Sequence, residues 1–247
     1  TNCQTAIYTV SCAALAAFRE KSALRPVACA GLSLGEYGAL YAAGAFDFGT
    51  GLKLLDRRGA LMDEACRNHP GTMASVIGAE EAVVEEVCRE VDLDVANYNC
   101  PGQIVISGPQ EKIDAAVARL REKNVKKIIP LTVAGAFHSR LMREAGEKLA
   151  EALAAAEIRT PEIPVLHNFT ADFSGSPDEI RAALAAQVSG AVRWEASLRR
   201  AAAGCGADAV IEFGPGAVLT NLARRTLPDL VRVNVNDAAS LAQASIL

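Results

Sequence analysis

Apolar positions recur at helical spacing where the chain opens, with Ile7, Val10, Ala14 and Phe18 on one predicted face, and the pattern breaks between Lys21 and Pro26. Val27 to Ala30 is a short apolar run ending at Gly31, and Leu34 to Ala43 returns to helical spacing. The order predicted there is strand, sharp turn, helix. Asp47 is placed to cap a further helix reaching about Cys66, which Pro70-Gly71 closes. The rhythm then shortens: strand Thr72 to Ile77, helix Glu80 to Val91, strand Asp94 to Asn99, a Pro101-Gly102 turn, strand Gln103 to Ser107, helix Gln110 to Lys123 and strand Lys127 to Thr132. That β-α-β-β-α-β series is the ferredoxin-like arrangement, predicted as a subdomain over 71–132 inserted into a larger domain made of 1–70 and 133–247. Beyond His138 the pattern predicts a long helix to about Ile158, a strand over Ile163 to His167, and a helix opened by the capping box Ser176-Pro177-Asp178-Glu179. The chain closes with helix Glu195 to Ala203, strand Ala209 to Phe213, a Gly214-Pro215-Gly216 turn, helix Val218 to Thr226 and strand Val231 to Val235. Alternating strands and helices imply an α/β fold built on a parallel sheet.

Composition narrows the function classes. With 247 residues, 51% of them hydrophobic, the chain can bury a substantial core. A net charge of −4 gives no general attraction to nucleic acid. No apolar run approaches the roughly 20 residues that span a bilayer, so a soluble, cytoplasmic protein is expected. The seven cysteines form no C-x-x-C pair and read as buried, reduced thiols. Only three histidines occur, His69, His138 and His167, none in a cluster with metal-ligand spacing, so no metal site is expected.

Candidate chemistry centres on Gly31-Leu32-Ser33-Leu34-Gly35, a G-x-S-x-G sequence lying between a predicted strand and a predicted helix. The missing glycine side chains relieve crowding in a tight turn that lifts the Ser33 hydroxyl clear, and the Leu34 N–H points toward a developing oxyanion. Serine needs a base. His138, directly after a strand end, is the best placed; His69 sits beside a Pro-Gly helix stop as a solvated residue, and His167 lies on an apolar strand as a core histidine bonded to backbone. Arg58 falls on the apolar half of its helix, among Leu54, Leu55, Leu61 and Met62, whereas Arg57 falls on the polar half. A buried guanidinium needs compensation, either by an internal ion pair or by a carboxylate on a substrate.

Taken together, six ordered blocks resemble the malonyl-CoA:acyl-carrier-protein transacylases of fatty-acid synthesis and the acyltransferase domains of polyketide synthases. They are Ala30 to Tyr37, Arg58-Gly59, Asn99-Cys100-Pro101-Gly102-Gln103, Gly135-Ala136-Phe137-His138-Ser139, Gln187 seven residues before Trp194, and Glu212-Phe213-Gly214-Pro215-Gly216. The resemblance implies a hydrolase-like α/β domain carrying a ferredoxin-like insert, with malonyl-CoA and acyl carrier protein as substrates and no cofactor. It makes Ser33 the acylated nucleophile, His138 the general base and acid, and Arg58 the partner of the malonyl carboxylate. Gln187 lies where the family orients the histidine by a backbone carbonyl, Phe137 matches the malonyl-selective form, Asn99 belongs to a substrate-side block, and Lys126-Lys127 matches a basic pair near the site mouth. Two departures stand out. Leu32 replaces a common histidine, and the opening strand with a Gly-Gln-Gly segment is expected upstream of Thr1.

Other readings make different demands. A serine esterase or thioesterase of the α/β-hydrolase type places its histidine near the C-terminus after an acid, whereas 80 residues (247 − 167) follow His167, the last histidine here. A patatin-like hydrolase wants a late Asp-Gly, and the chain contains none. A non-catalytic acyltransferase that only docks carrier protein would rest on the missing opening segment.

Overall fold

The structure, a computed structural model, describes residues 3–245, with every side chain except that of Ser174. Helix α1 (Cys3–Lys21) buries Tyr8, Cys12 and Phe18; of the expected face only Phe18 is buried, Ile7 and Ala14 are half-buried, and Val10 is 47% exposed. Tyr8 explains the rotation: its ring stacks on Phe48 at 5.3 Å and lies edge-on to Tyr41, more buried area than a valine supplies. Strand β1 (Cys29–Ala30) turns into α2 (Gly35–Ala42), and α3 (Phe48–Asn68) starts where the Asp47 side chain accepts from Thr50 N at 2.7 Å.

The next stretch folds as one antiparallel unit: β2 (Thr72–Ile77), α4 (Glu81–Glu90), β3 (Asp94–Cys100), β4 (Gln103–Gly108), α5 (Gln110–Glu122) and β5 (Lys127–Pro130). Its sheet order, β3-β4-β2-β5, is the ferredoxin-like one. Helices and sheet enclose a core of their own, including Val76, Val84, Val87, Ile106 and Leu120.

The long helix expected directly after His138 begins later, as α6 (Arg143–Ala155) behind a 3₁₀ turn at Arg140–Met142. His138 takes a left-handed backbone, φ 55°, and Ser139 caps the turn, so the chain first doubles back. Then come β6 (Val165–Leu166), the unexpected two-residue β7 (Phe173–Ser174), and α7 (Pro177–Ser189), whose Ser176–Glu179 capping box is present as expected. Helix α8 (Trp194–Cys205), β8 (Ala209–Phe213), α9 (Val218–Thr226) and β9 (Val231–Val235) follow, and an unexpected α10 (Ala238–Ala244) closes the described chain on an Asp237 cap.

Parallel pairing holds for β1 with β6 and for β8 with β9, while β7 adds to β6 antiparallel. These strands form two sheets and not one, because among the described residues no strand pairs with both β1 and β8. The main core lies between α2, α3, α6 and α7, with Leu40, Phe46, Leu55, Leu149, Leu153 and Leu184. All seven cysteines are free thiols, and Cys3 is exposed where a buried one was expected. Among the described residues no helix is long and apolar enough to cross a membrane.

Candidate active site

Ser33 sits at the β1-to-α2 turn with φ 53°, a backbone region that costs a non-glycine residue energy and persists only when its surroundings hold it. Two features hold it. A Cβ at Gly31 would collide with Gly35 O, so only glycine permits the turn to close. At Gly35 a Cβ would meet open space, so the expected relief of crowding applies to Gly31 alone. Asn168, just beyond β6, braces the loop from the other side: its Oδ1 accepts from Ser33 N at 2.5 Å and its Nδ2 donates to Gly31 O at 2.7 Å. No acceptor among the described residues pairs with Leu34 N–H, which opens α2.

Ser33 Oγ lies 2.8 Å from His138 Nε2, and His138 Nδ1 lies 2.8 Å from the backbone oxygen of Gln187 on α7. A carbonyl can only accept, so Nδ1 carries the proton and Nε2 is left to accept from the serine hydroxyl. Burial, and after it the nearby Arg58 charge, lowers the His138 pKa to about 4 against the lift from its backbone hydrogen bonds. The loop that carries it is pinned by Ser107 Oγ on Phe137 O and by Ser139 Oγ on Ala136 O, both at 2.7 Å. A Cβ at Gly135 would strike Cys66 Sγ, so glycine is needed for the loop to pass α3.

Arg58 is 1% exposed on α3, as its place on the helix predicts. Its NH1 donates to Gln4 Oε1 at 2.6 Å, and its NH2 donates to both Ser33 Oγ and Gln187 Oε1 at 3.0 Å. Its Nε has no partner among the described residues. Among the described residues no carboxylate lies within ion-pair distance, so the internal ion pair is not the compensation found. Burial lowers the Arg58 pKa, and the Glu36 carboxylate opposes that shift.

Sequence reasoning missed Gln4, Glu36 and Asn168. Glu36 is wholly buried, and its carboxylate takes Gln187 Nε2 at 2.7 Å, Asn168 N at 2.9 Å and His167 Nδ1 at 2.6 Å. His167 is wholly buried, as expected of a core histidine, and meets the Glu36 carboxylate through Nδ1, a partner the sequence pattern did not suggest. The signal for Glu36 was available, since it is the only charged residue between Gly31 and Phe46. Nothing in the local pattern marks Gln4 or Asn168, whose partners are distant in sequence.

The structure brings Ser33, His138, Arg58 and Gln187 together, with Leu34 beside them. Phe137 precedes His138 and packs against both the main core and the Met73, Ala96 and Val105 cluster of the insert. Asn99 is half-buried on β3 with its Oδ1 unpartnered, and no hydrogen bond joins it to the serine group. Lys126 and Lys127 are exposed. Lys127 pairs with Ile77, the end of β2 opposite the Gly71 approach to Ala136, about 20 Å away along the strand at 3.3 Å per residue. His69 ends α3 in an exposed position. Among the described residues no cluster of His, Cys, Asp or Glu could hold a metal ion.

A serine on a strand-to-helix elbow, paired with a histidine that a backbone carbonyl orients, places the protein in the class of serine acyl-transfer enzymes of α/β fold. The chain belongs to the acyl transferase domain family, whose model matches residues 1–245. It is 38% identical to the malonyl CoA-acyl carrier protein transacylase of Bacillus subtilis over 98% of this chain and 78% of that protein. The crystal structure of malonyl-CoA:acyl carrier protein transacylase from Xanthomonas oryzae pv. oryzae superposes with a TM-score of 0.94 at 38% identity, covering 98% of this chain and 78% of that one. A malonyl-transacylase solved in complex with its type II polyketide acyl-carrier protein superposes at 0.95 with 36% identity, covering 98% and 80%.

Proposed function

We propose that the protein transfers a malonyl group from malonyl-CoA to the phosphopantetheine thiol of an acyl carrier protein through an ester on Ser33, in the cytoplasm. The observation that carries this reading is the Ser33 hydroxyl held between His138 Nε2 at 2.8 Å and Arg58 NH2 at 3.0 Å. In the first half-reaction Ser33 gives its proton to His138 Nε2 as Oγ attacks the thioester carbonyl. The oxyanion that forms is met by Leu34 N–H. Collapse breaks the C–S bond, and His138 returns the proton to the departing coenzyme A sulfur. In the second half His138 takes the proton of the carrier thiol, sulfur attacks the ester carbonyl, the C–Oγ bond breaks and Ser33 recovers its proton. Both substrates supply their own sulfur, so the chemistry calls on no metal or cofactor.

Arg58 supplies the selectivity. Once Oγ becomes an ester it is a poorer acceptor, and the NH2 hydrogen it held turns to the malonyl carboxylate together with the unpartnered Nε–H. That carboxylate also offsets the cationic push on His138, raising its basicity in the complex. Relatives named as malonyl-CoA:acyl carrier protein transacylases support the choice of donor and acceptor. Intact mass after mixing with malonyl-CoA tests the reading. We expect one malonyl adduct on the wild type and none on Ser33→Ala; an adduct on the alanine variant moves the nucleophile elsewhere, and none on either protein leaves a non-catalytic docking role.

A further inference from the structure

Arg58 is a buried cation with no anion in contact, yet a buried anion answers it one amide away. Glu36 Oε2 accepts from Gln187 Nε2 at 2.7 Å, and Gln187 Oε1 accepts from Arg58 NH2 at 3.0 Å. Gln187 Nε2 also donates to Ser33 O at 3.0 Å, so both hydrogens of the amide nitrogen are committed. The amide has therefore one orientation, oxygen toward the cation and nitrogen toward the anion. His167 Nδ1 and Asn168 N hold the carboxylate from the other sides.

We infer that Glu36 is the resident counter-charge of Arg58, a positioning residue coupled through the Gln187 side chain, and that this indirect pairing leaves the guanidinium open to a substrate carboxylate. The inference rests on the malonyl reading proposed above. A buried guanidinium without a counter-charge is strongly unfavourable, whereas a carboxylate in direct contact would fill the donors that substrate needs. Spacing the charges through an amide keeps their attraction, which is long-ranged in a buried site, without occupying the fork. Glu36 stabilises the unloaded enzyme. A malonyl carboxylate then takes over part of its task.

Glu36→Gln tests the charge with little change of shape, because the new amide oxygen can still accept from Asn168 and Gln187 while its nitrogen faces His167. Melting temperatures of the unloaded protein are compared for wild type, Glu36→Gln, Arg58→Met and the double variant. We expect Glu36→Gln to lower Tm by about 5 °C in the wild-type background and by less than half of that beside Arg58→Met. Equal losses in both backgrounds overturn the inference. Should Glu36→Gln not fold alone, the double variant with Arg58→Met should fold, because the lone buried cation is gone; a double variant that also fails to fold, where Arg58→Met by itself folds, overturns the inference. Steady-state kinetics separate the two proposals: with the charge gone, the KM for malonyl-CoA should fall a few-fold while that for acetyl-CoA holds. Coupling in the cycle with both thioesters shifted alike supports the counter-charge and removes the carboxylate role of Arg58. No coupling, with malonyl preference still lost in Arg58→Met, does the reverse.

Discussion

Malonyl and acetyl groups differ by one carboxylate, and on the proposed reading Arg58 is the group that distinguishes them. In the unloaded protein its NH2 hydrogens go to Ser33 Oγ and Gln187 Oε1 and one NH1 hydrogen to Gln4 Oε1, leaving Nε without an acceptor. A charge-assisted pair of hydrogen bonds from such a group is worth roughly 1.5 to 3 kcal/mol in a partly dry pocket. At 1.4 kcal/mol per factor of ten, Arg58→Ala should lower kcat/KM for malonyl-CoA by about one to two orders of magnitude. Acetyl transfer should hold or rise, since an acetyl group leaves the buried cation unpaired. The substitution also strands Gln4 Oε1 and Gln187 Oε1, at roughly 1 to 3 kcal/mol per buried acceptor, so Tm falls as well. Stability loss alone depresses both thioesters together. The assay is therefore the malonyl-to-acetyl ratio of kcat/KM, measured below the variant's melting range. An unchanged ratio refutes the assignment of Arg58 to the substrate carboxylate.

His138→Ala should slow acylation by a factor on the order of 10² to 10⁴, read by stopped-flow release of coenzyme A. With its pKa lowered to about 4 in the unloaded protein, His138 should keep kcat/KM for malonyl-CoA flat through neutral pH and lose it only on an acid limb near 4; a midpoint near 6.5 would show the imidazole to be unperturbed. The same shift has a stability sign: between about 6.5 and 4 the unfolded chain binds the proton first, so the contribution of His138 is complete above 6.5 and is lost as pH falls, visible as a declining Tm. Gly31→Ala should cost several kcal/mol or prevent folding, because Gly35 O occupies the space of the new Cβ, whereas Gly35→Ala should change Tm by little. Reversing Lys126 and Lys127 to Glu should leave malonyl-CoA acylation intact, given the place of Lys127 at the end of β2 far from Gly71, and lower kcat/KM for the carrier protein with a flatter salt dependence.

The residues whose chemistry announces itself within a few positions were legible. Ser33 could be read from its strand-turn-helix setting, Arg58 from a charge on an apolar helix face, and the insert from the spacing of its strands and turns. What escaped depends on long-range partners. Gln4 lies 54 positions from Arg58 and Asn168 lies 135 from Ser33, and an amide side chain on an otherwise ordinary helix or strand end carries no local mark of either bond. The rotated face of α1 escaped because Tyr8 counts as half-polar in a pattern while its ring packs as well as any hydrophobe. The short β7 and α10 fall at the length where periodicity has too few positions to register.

The Ser33–His138 contact lies within the larger body, but one of its two sides also leans on the insert. The serine stands on β1 and α2, while the histidine loop is tied by Gln187 O to α7 of the same body and by Ser107 Oγ to β4 of the insert. The 2.8 Å separation between nucleophile and base therefore works as a gauge of how squarely the two bodies seat on one another. A carrier protein that gripped both bodies would steady the gauge as it delivered its thiol, tying arrival of the acceptor to alignment of the base.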